Sequence, residues 1–174
     1  AALAGADIAV ICAPVALTEK IVTDIEPLLG DNLIITDAGS VKGTVARAAR
    51  KVLGERVAQF VPGHPIAGSE QSGVAAANPN LYCEHKVILT PLAENPDQLV
   101  QQVASMWQAV GAQVMTMQPD HHDQVLAATS HLPHLLAYAL VNALARDEES
   151  QEIFRYAAGG FRDFTRIASS DPQM

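Results

Sequence analysis

The chain has 174 residues, of which 49% are hydrophobic and only 5% aromatic, so aliphatic side chains must fill its core. Its formal net charge of −8, with no stripe of basic residues, argues against non-specific binding to nucleic acid. No apolar run reaches the roughly 18 residues of a membrane span, and the first residues lack the basic start of a signal peptide. Cys12 and Cys83 have neither metal-ligand spacing nor a disulfide framework, which favours a reducing, cytoplasmic location.

The first two thirds of the chain alternate short apolar runs with helical patterns. Runs rich in β-branched residues predict strands at residues 8–13, 33–36, 57–61, 86–89 and 113–117. Apolar residues at helical spacing predict helices at residues 18–29, 42–53 and 96–110. This βαβα order with short connections predicts an α/β fold with a doubly wound parallel sheet. Residues 63–84 are rich in Gly, Ala, Asn and Pro and predict a long loop.

From about residue 119 the pattern is helical only. Helices are predicted at residues 120–146, 150–157 and 164–168. Pro133 interrupts the first of these and predicts a kink, and Gly159-Gly160 separates the last two. The long helix has a broad apolar face that needs a partner, which could be another subunit.

The long helix opens with two histidines and two aspartates. Asp120 and Asp123 suit the positive end of the helix dipole. His121 and His122 are expected to be solvated there. These four residues are therefore not predicted to take part in catalysis.

Three polar or turn-forming positions follow the ends of predicted strands, where parallel sheets bind their ligands. Pro14, Ser40 and His64 should therefore lie along one edge of the sheet. His64 sits between Gly63 and Pro65, and the unperturbed histidine pKa of about 6.5 suits proton transfer at neutral pH. The same His-Pro pair also occurs in ordinary loops. Ser40 could orient an oxygen of a cofactor or substrate, cap the following helix, or do both.

The helical part offers further candidates. His131 and His134 are three residues apart and share a helix face. A metal site is disfavoured because no third ligand has clear spacing and HExxH is absent, so contacts to an anionic substrate or to the kinked helix are preferred. Arg166 lies among Phe, Thr, Ile and Ala, where a carboxylate clamp is at least as favoured as a surface ion pair. Glu70 could pair with such an arginine or with a histidine.

Four short motifs follow one another along the chain. They are Asp37-Ala-Gly-Ser40-x-Lys42, Gly63-His64-Pro65-x-Ala67-Gly68-x-Glu70-x-x-Gly73, Ser130-His131-Leu132-Pro133-His134 and Gly160-Phe161-x-Asp163-x-Thr165-Arg166-Ile167-Ala168. Together they resemble the prephenate dehydrogenase (cyclohexadienyl or arogenate dehydrogenase) family of tyrosine biosynthesis. Each motif is weak alone, but four in this order and spacing are highly specific, and the resemblance covers essentially the whole chain.

The resemblance implies an oxidoreductase that uses NAD or NADP for the oxidative decarboxylation of prephenate or arogenate. The products would be 4-hydroxyphenylpyruvate or tyrosine. His64 would accept the proton of the substrate's 4-hydroxyl as hydride leaves the same carbon. Ser40 would hydrogen-bond this region and orient His64 or the nicotinamide.

The resemblance also implies residues that bind substrate and cofactor. Arg166 would bind a substrate carboxylate, and Asp163 would hold the segment around it. His134 and His131 would contact the substrate, with Glu70 at the edge of the site. Cofactor contacts would come from the ends of two strands, at Ala13, Pro14, Val15 and Ser40.

The family's GxGxxG fingerprint and the first strands of its sheet are absent from the sequence. The resemblance therefore implies a piece truncated at both ends. Residues 1–118 would be the C-terminal part of a Rossmann-like dinucleotide-binding domain. Residues 119–174 would start an all-helical domain that binds substrate and forms a homodimer.

Two other interpretations stay open. One is another NAD-linked hydroxyacid dehydrogenase, which the SHLPH and GFRDFTRIA segments disfavour. The other is a non-catalytic remnant that binds a ligand or only a partner chain. Within the favoured family, prephenate and arogenate both stay open as substrates, as do NAD and NADP as cofactors.

Overall fold

The computed structural model describes residues 3–68 and 76–169, which divide into two compact units. The first unit lies within Ala1–Gly68 and Asn78–Asp123 and contains the strands. The second lies within Ser69–Ala77 and Gln124–Met174, and its regular structure is helical where it is described. Within the described residues, no helix is both long enough and apolar enough to cross a membrane.

Short strands form two three-stranded sheets in the first unit. They are β1 (Ile8–Ile11), β2 (Ile34–Asp37), β3 (Phe60–Val61), β4 (Gly63–Pro65), β5 (Lys86–Leu89) and β6 (Gln113–Thr116). β1, β2 and β3 pair in parallel in that order. β5 lies between β4 and β6, antiparallel to the former and parallel to the latter. Only Pro62 separates β3 from β4, and its carbonyl accepts a 2.9 Å hydrogen bond from Thr90 N–H, so the chain passes directly from one sheet to the other.

Amphipathic helices cover these sheets. They are α1 (Thr18–Ile25), α2 (Lys42–Leu53) and α3 (Asp97–Ala109). α1 and α2 bury Val22 and Val45 in one core with Phe60 of β3. α3 buries Val103 and Trp107 in a second core with β5. Burial of each aliphatic side chain stabilises the folded state by about 1.5–3 kcal/mol, so these cores hold the ends of the strands in place.

The predicted α/β fold class is confirmed, because strands and helices alternate before a helical segment. Two details of the prediction around residue 60 are wrong. Residues Gly54–Gln59 form a 3₁₀-helix, so the predicted strand at 57–61 shrinks to two residues. Residues Gly63–Pro65, predicted as loop, form β4, which is extended further by a 2.7 Å bond from Ile66 N–H to Lys86 O. His64 therefore lies in a paired strand rather than on a turn.

The helical segment is more broken than its periodicity predicts. It comprises α4 (Pro119–Leu126), a π-helical turn (Ala127–His131), α5 (Leu132–Ala145), α6 (Ser150–Arg155), α7 (Gly159–Thr165) and a 3₁₀ turn (Arg166–Ser169). Pro133 sits in the first turn of α5, where its missing N–H needs no partner, and the π-helical turn precedes it. Gly159 and Gly160 begin α7 rather than separating two helices, which corrects the predicted boundary.

Candidate active site

The segments that follow β1, β2 and β3 meet at one edge of the first sheet. A Cβ atom added to Gly39 would lie 3.0 Å from Cγ2 of Val15, so the loops after β1 and β2 are in contact. A Cβ added to Gly63 would lie 3.1 Å from the carbonyl oxygen of Asp37, so β4 starts against the end of β2. The segments that carry Pro14, Ser40 and His64 are therefore brought together.

A buried ion pair joins two of these segments. The Lys42 and Asp37 side chains are 0% and 2% exposed, and Lys42 Nζ donates to the Asp37 carboxylate. Lys42 Nζ also donates to the Gly63 carbonyl at 2.6 Å. The Asp37 carboxylate accepts hydrogen bonds from the N–H groups of Gly39 (2.9 Å) and Gly63 (3.1 Å). Both backbone polar groups of Gly63 are thus held, which fixes the strand next to His64.

Burial lowers the pKa of Lys42, and the charge and hydrogen bond of Asp37 act in the opposite direction. A buried ammonium ion is costly unless it is paired and hydrogen-bonded. Here Lys42 has both the Asp37 carboxylate and the Gly63 carbonyl as partners. The pair is therefore a firm anchor for the start of β4.

His64 is half-buried and contacts a second histidine. Its Nδ1 lies 2.9 Å from Nε2 of His122, and the two rings meet edge to face with centroids 5.1 Å apart. His122 Nδ1 lies 2.8 Å from Oδ1 of Asp123. Asp123 also accepts 2.8 Å hydrogen bonds from the N–H groups of Lys42 and Gly43, the first two residues of α2.

Asp123 is an ionised carboxylate in this arrangement. Burial alone would raise its pKa, but the hydrogen bonds from Lys42 N–H, the His122 ring and Gly43 N–H outweigh burial and lower the pKa. The positive end of α2 adds to this preference for a negative charge. The cluster therefore joins the His64 ring to a fixed negative charge through a second imidazole.

Three predictions about these residues are corrected. His122, expected to be solvated, is 0% exposed, because α4 turns it toward His64. Asp123 accepts hydrogen bonds from the first two N–H groups of α2, whereas the sequence predicts only an interaction with the dipole of its own helix. Ser40 does not cap α2, since the N-cap residue is Val41 and no side chain of that residue closes the helix. The Ser40 side chain is exposed, and its contact with a cofactor or substrate stays a prediction.

The predicted cofactor residues lie at the end of β1. Ala13 and Val15 are half-buried, Pro14 is exposed, and Val15 begins a 3₁₀ turn that leads into α1.

The predicted substrate residues lie mostly in the second unit. His131 is half-buried at the end of the π-helical turn, and His134 is exposed in α5. His134 Nδ1 donates to the Ser130 carbonyl at 2.9 Å, which leaves Nε2 as its acceptor nitrogen. Arg166 and Asp163 are exposed in and after α7. Glu70 lies outside the described residues, and within them no group of three or more His, Cys, Asp or Glu side chains has the arrangement of a metal site.

The signals that could have revealed His122 and Lys42 were weak. His122 and Leu126 are four residues apart on α4 and both are buried, so they share the inner helix face. Lys42 follows Asp37 by five residues across a strand-to-helix turn, a spacing compatible with an ion pair but not diagnostic of one.

Comparisons with known proteins give a consistent assignment. The family model described as "Prephenate dehydrogenase, nucleotide-binding domain" matches residues 1–116, and "Prephenate dehydrogenase, dimerization domain" matches residues 118–174. Cyclohexadienyl dehydrogenase of Zymomonas mobilis is 40% identical over 171 residues, which are 97% of this chain and 58% of that protein. Prephenate dehydrogenase of Bacillus subtilis is 46% identical over 143 residues, which are 82% of this chain and 38% of that protein.

Solved structures agree. Prephenate dehydrogenase from A. aeolicus, in complex with hydroxyphenyl propionate and NAD+, superposes with a TM-score of 0.87 at 41% identity. The match covers 96% of this chain and 58% of that one. This chain thus spans less than two thirds of the length of these relatives. Since the two family models together account for nearly every residue, the chain belongs to the prephenate dehydrogenase family.

Proposed function

We propose that this chain carries the catalytic edge and the first part of the substrate-binding region of an NAD(P)-dependent dehydrogenase that acts on prephenate or arogenate in tyrosine biosynthesis. The observation that carries the proposal is the fixed position of His64. Its backbone is clamped through Gly63, and its ring is bound to His122, at the sheet edge that also presents Ser40. Such rigidity is what a general base requires, because proton transfer depends on a short, well-aligned contact.

The nicotinamide end of a dinucleotide fits the residues present. Pro14 and Ser40 are exposed on neighbouring loops, which touch each other at Val15 and Gly39. GxGxxG does not occur in the 174 residues, so the proposal concerns the nicotinamide end of the dinucleotide. When bound, the nicotinamide supplies the hydride acceptor. Ala13, Pro14 and Val15 would line one side of it, and the Ser40 hydroxyl would donate to or accept from its polar edge.

His64 would take the proton of the substrate's 4-hydroxyl. As hydride leaves the carbon that bears this hydroxyl, negative charge develops on the oxygen, and a neutral imidazole relieves it by accepting the proton. The negative charge of Asp123, two hydrogen bonds away, favours the resulting imidazolium. Positioned general bases contribute about 10²- to 10⁴-fold to the rate. Loss of carbon dioxide is then driven by formation of the aromatic ring.

The helical residues would bind the rest of the substrate. Arg166, whose guanidinium can grip a carboxylate with two hydrogen bonds, would hold an acidic group of the substrate, and Asp163 would steady its segment. His134 would offer its Nε2, since Nδ1 is committed to the Ser130 carbonyl. His131 and Glu70 would complete the site.

The exposed apolar side chains of α5 support a homodimer formed through the helical region. Leu132, Leu135 and Leu136 are all about half exposed or more. Contiguous apolar surface of this kind is typical of protein interfaces. The two free cysteines, Cys12 and Cys83, fit a reducing cytoplasmic location.

The test is nicotinamide reduction, followed by absorbance, with prephenate and with arogenate and with NAD and NADP in turn. It uses the chain extended at both ends to the length of its curated relatives, here called the extended protein. His64→Asn should lower kcat by about 10²- to 10⁴-fold while substrate still binds. His85→Asn is the matched control, because His85 is an exposed histidine of the same unit and should keep kcat within about twofold.

The outcomes separate the alternatives. An extended protein that reduces neither cofactor with either substrate would support the non-catalytic interpretation. Turnover that survives His64→Asn within about threefold would keep the dehydrogenase and remove His64 as its base.

A further inference from the structure

We propose that His122 and Asp123 are positioning residues that select the ring tautomer of His64, so that Nε2 of His64 is the nitrogen that accepts the substrate proton. This inference rests on the proposed role of His64 as the base. The sequence predicts a solvated His122 and an Asp123 that favours the start of its own helix, and it predicts no role toward His64 for either residue.

The first step concerns Asp123. Its Oδ1 accepts from Lys42 N–H and its Oδ2 from Gly43 N–H, both at 2.8 Å. These donors belong to the first turn of a 12-residue helix, whose N–H groups have no partners within the helix. The carboxylate is therefore fixed in orientation and held ionised, and an ionised carboxylate can only accept hydrogen bonds.

The second step passes from Asp123 to His122. Since Asp123 Oδ1 can only accept, the His122 Nδ1 that lies 2.8 Å away must carry the hydrogen. In a neutral imidazole the other nitrogen is then an acceptor. His122 is 0% exposed, so water does not compete for its ring. Its Nε2 is thus a buried acceptor aimed at His64.

The third step passes from His122 to His64. His64 Nδ1 lies 2.9 Å from that acceptor and must donate to it. The ring planes are inclined by 67°, as in an edge-to-face contact rather than a stack. With its hydrogen on Nδ1, neutral His64 has its lone pair on Nε2. The chain of bonds therefore defines which nitrogen of His64 is basic.

One helix terminus controls both the backbone and the ring of His64. The Lys42 side chain holds Gly63, and the Lys42 N–H holds Asp123. A ring N–H of a histidine is often bound by a backbone carbonyl. Here the Nδ1–H of His64 is bound by a second histidine, which a carboxylate holds in turn. Such an arrangement transmits a defined tautomer.

The direct test needs no substrate or cofactor. Nitrogen-15 NMR of the imidazole rings, recorded on this chain at a pH where His64 is neutral, distinguishes a protonated Nδ1 from a protonated Nε2. We expect His64 to be the Nδ1–H tautomer. Finding predominantly Nε2–H at His64 would overturn the inference without any variant being made.

Two variants separate tautomer selection from packing. His122→Asn keeps an amide donor near Asp123 but removes the acceptor for His64, while His122→Gln places an amide oxygen near the position of the lost Nε2. His122→Asn should shift His64 toward Nε2–H and lower kcat of the extended protein by about 10- to 100-fold, with KM within about twofold. His122→Gln should restore the Nδ1–H tautomer and recover at least about tenfold in kcat over His122→Asn.

The results distinguish this inference from the proposed function. If His122→Asn lowers kcat but the His64 tautomer stays unchanged, tautomer selection is wrong although the dehydrogenase stands. If His122→Gln fails to restore the tautomer, the acceptor at this position is not what selects it. If the extended protein never turns over, the proposed function fails, whereas the tautomer of His64 is still decided by the NMR measurement.

Discussion

Replacing Lys42 with methionine should destabilise the first unit by about 4 kcal/mol. The change keeps the length and apolar volume of the side chain but leaves the Asp37 carboxylate, 2% exposed, without its cation. An uncompensated buried charge costs about 3–5 kcal/mol. The N–H groups of Gly39 and Gly63 still bind Asp37, which favours the lower part of this range. The Gly63 carbonyl loses its donor, which adds about 1 kcal/mol.

Urea unfolding followed by tryptophan fluorescence measures this loss. Trp107 is the one tryptophan of the sequence and is 4% exposed in the core of the first unit. With an m-value of about 2 kcal/mol/M, the midpoint should fall by roughly 2 M at unchanged m. Lys51→Met is the control, because Lys51 and Glu19 form an ion pair in which both side chains are more than half exposed. That control should cost less than about 1 kcal/mol, and an equally small loss for Lys42→Met would refute the reasoning.

Adding Asp37→Asn completes a double-mutant cycle. The two single changes each leave one member of the pair without its counter-charge, whereas the double variant leaves no buried charge. The double variant should therefore lose less stability than the sum of the single variants by about 2 kcal/mol or more. Strict additivity would mean that the two groups do not interact energetically.

Two further predictions concern residues near this ion pair. Ser40→Ala should change the free energy of unfolding by less than about 0.5 kcal/mol, because Ser40 caps no helix. The same substitution should change kcat or KM of the extended protein. A loss of stability of about 1 kcal/mol or more in a urea titration would instead support the capping role. Gly63→Ala should cost about 1–3 kcal/mol, since its Cβ would lie 3.1 Å from a backbone oxygen and 3.2 Å from Leu89. Gly30→Ala, whose Cβ would meet nothing within 4 Å, should be neutral or stabilising in the same titration, and equal losses would show that crowding is not the cause.

Local pattern was sufficient for the regular part of the fold. The helix predicted at residues 42–53 has those bounds, because its apolar positions keep one face and Gly54, at φ 55°, ends it. The strand predicted at 86–89 is also found as predicted, since Val87, Ile88 and Leu89 form a short apolar run that is buried on both faces. β4 was missed because glycine and proline disfavour strands on average, and only pairing with β5 overrides that preference.

The candidate site was less accessible to sequence reasoning. Ser40 and His64 were located by the general rule that ligands bind past the ends of parallel strands. His122 and Asp123 were not, because their environment depends on contacts between residues far apart in the chain. Asp123 reaches back 81 residues to Lys42 N–H, and His122 reaches back 58 residues to His64. No local periodicity encodes such a pairing, and the start of a helix is ordinarily a solvated position for histidine.

Lys42 serves His64 in two ways that can be separated by substitution. Methionine at residue 42 removes the side-chain contact to Gly63 but retains the backbone N–H that binds Asp123. Lys42→Met should therefore loosen the strand beneath His64 and lower stability, while in molecules that remain folded the His64 ring still finds its acceptor on His122. His122→Asn should do the reverse, since it leaves the ion pair intact and alters only the ring. We therefore expect Lys42→Met to lose stability but keep the His64 tautomer, and His122→Asn to lose the tautomer but largely keep stability. This pattern would show that the ion pair and the hydrogen bonds through His122 act on His64 separately.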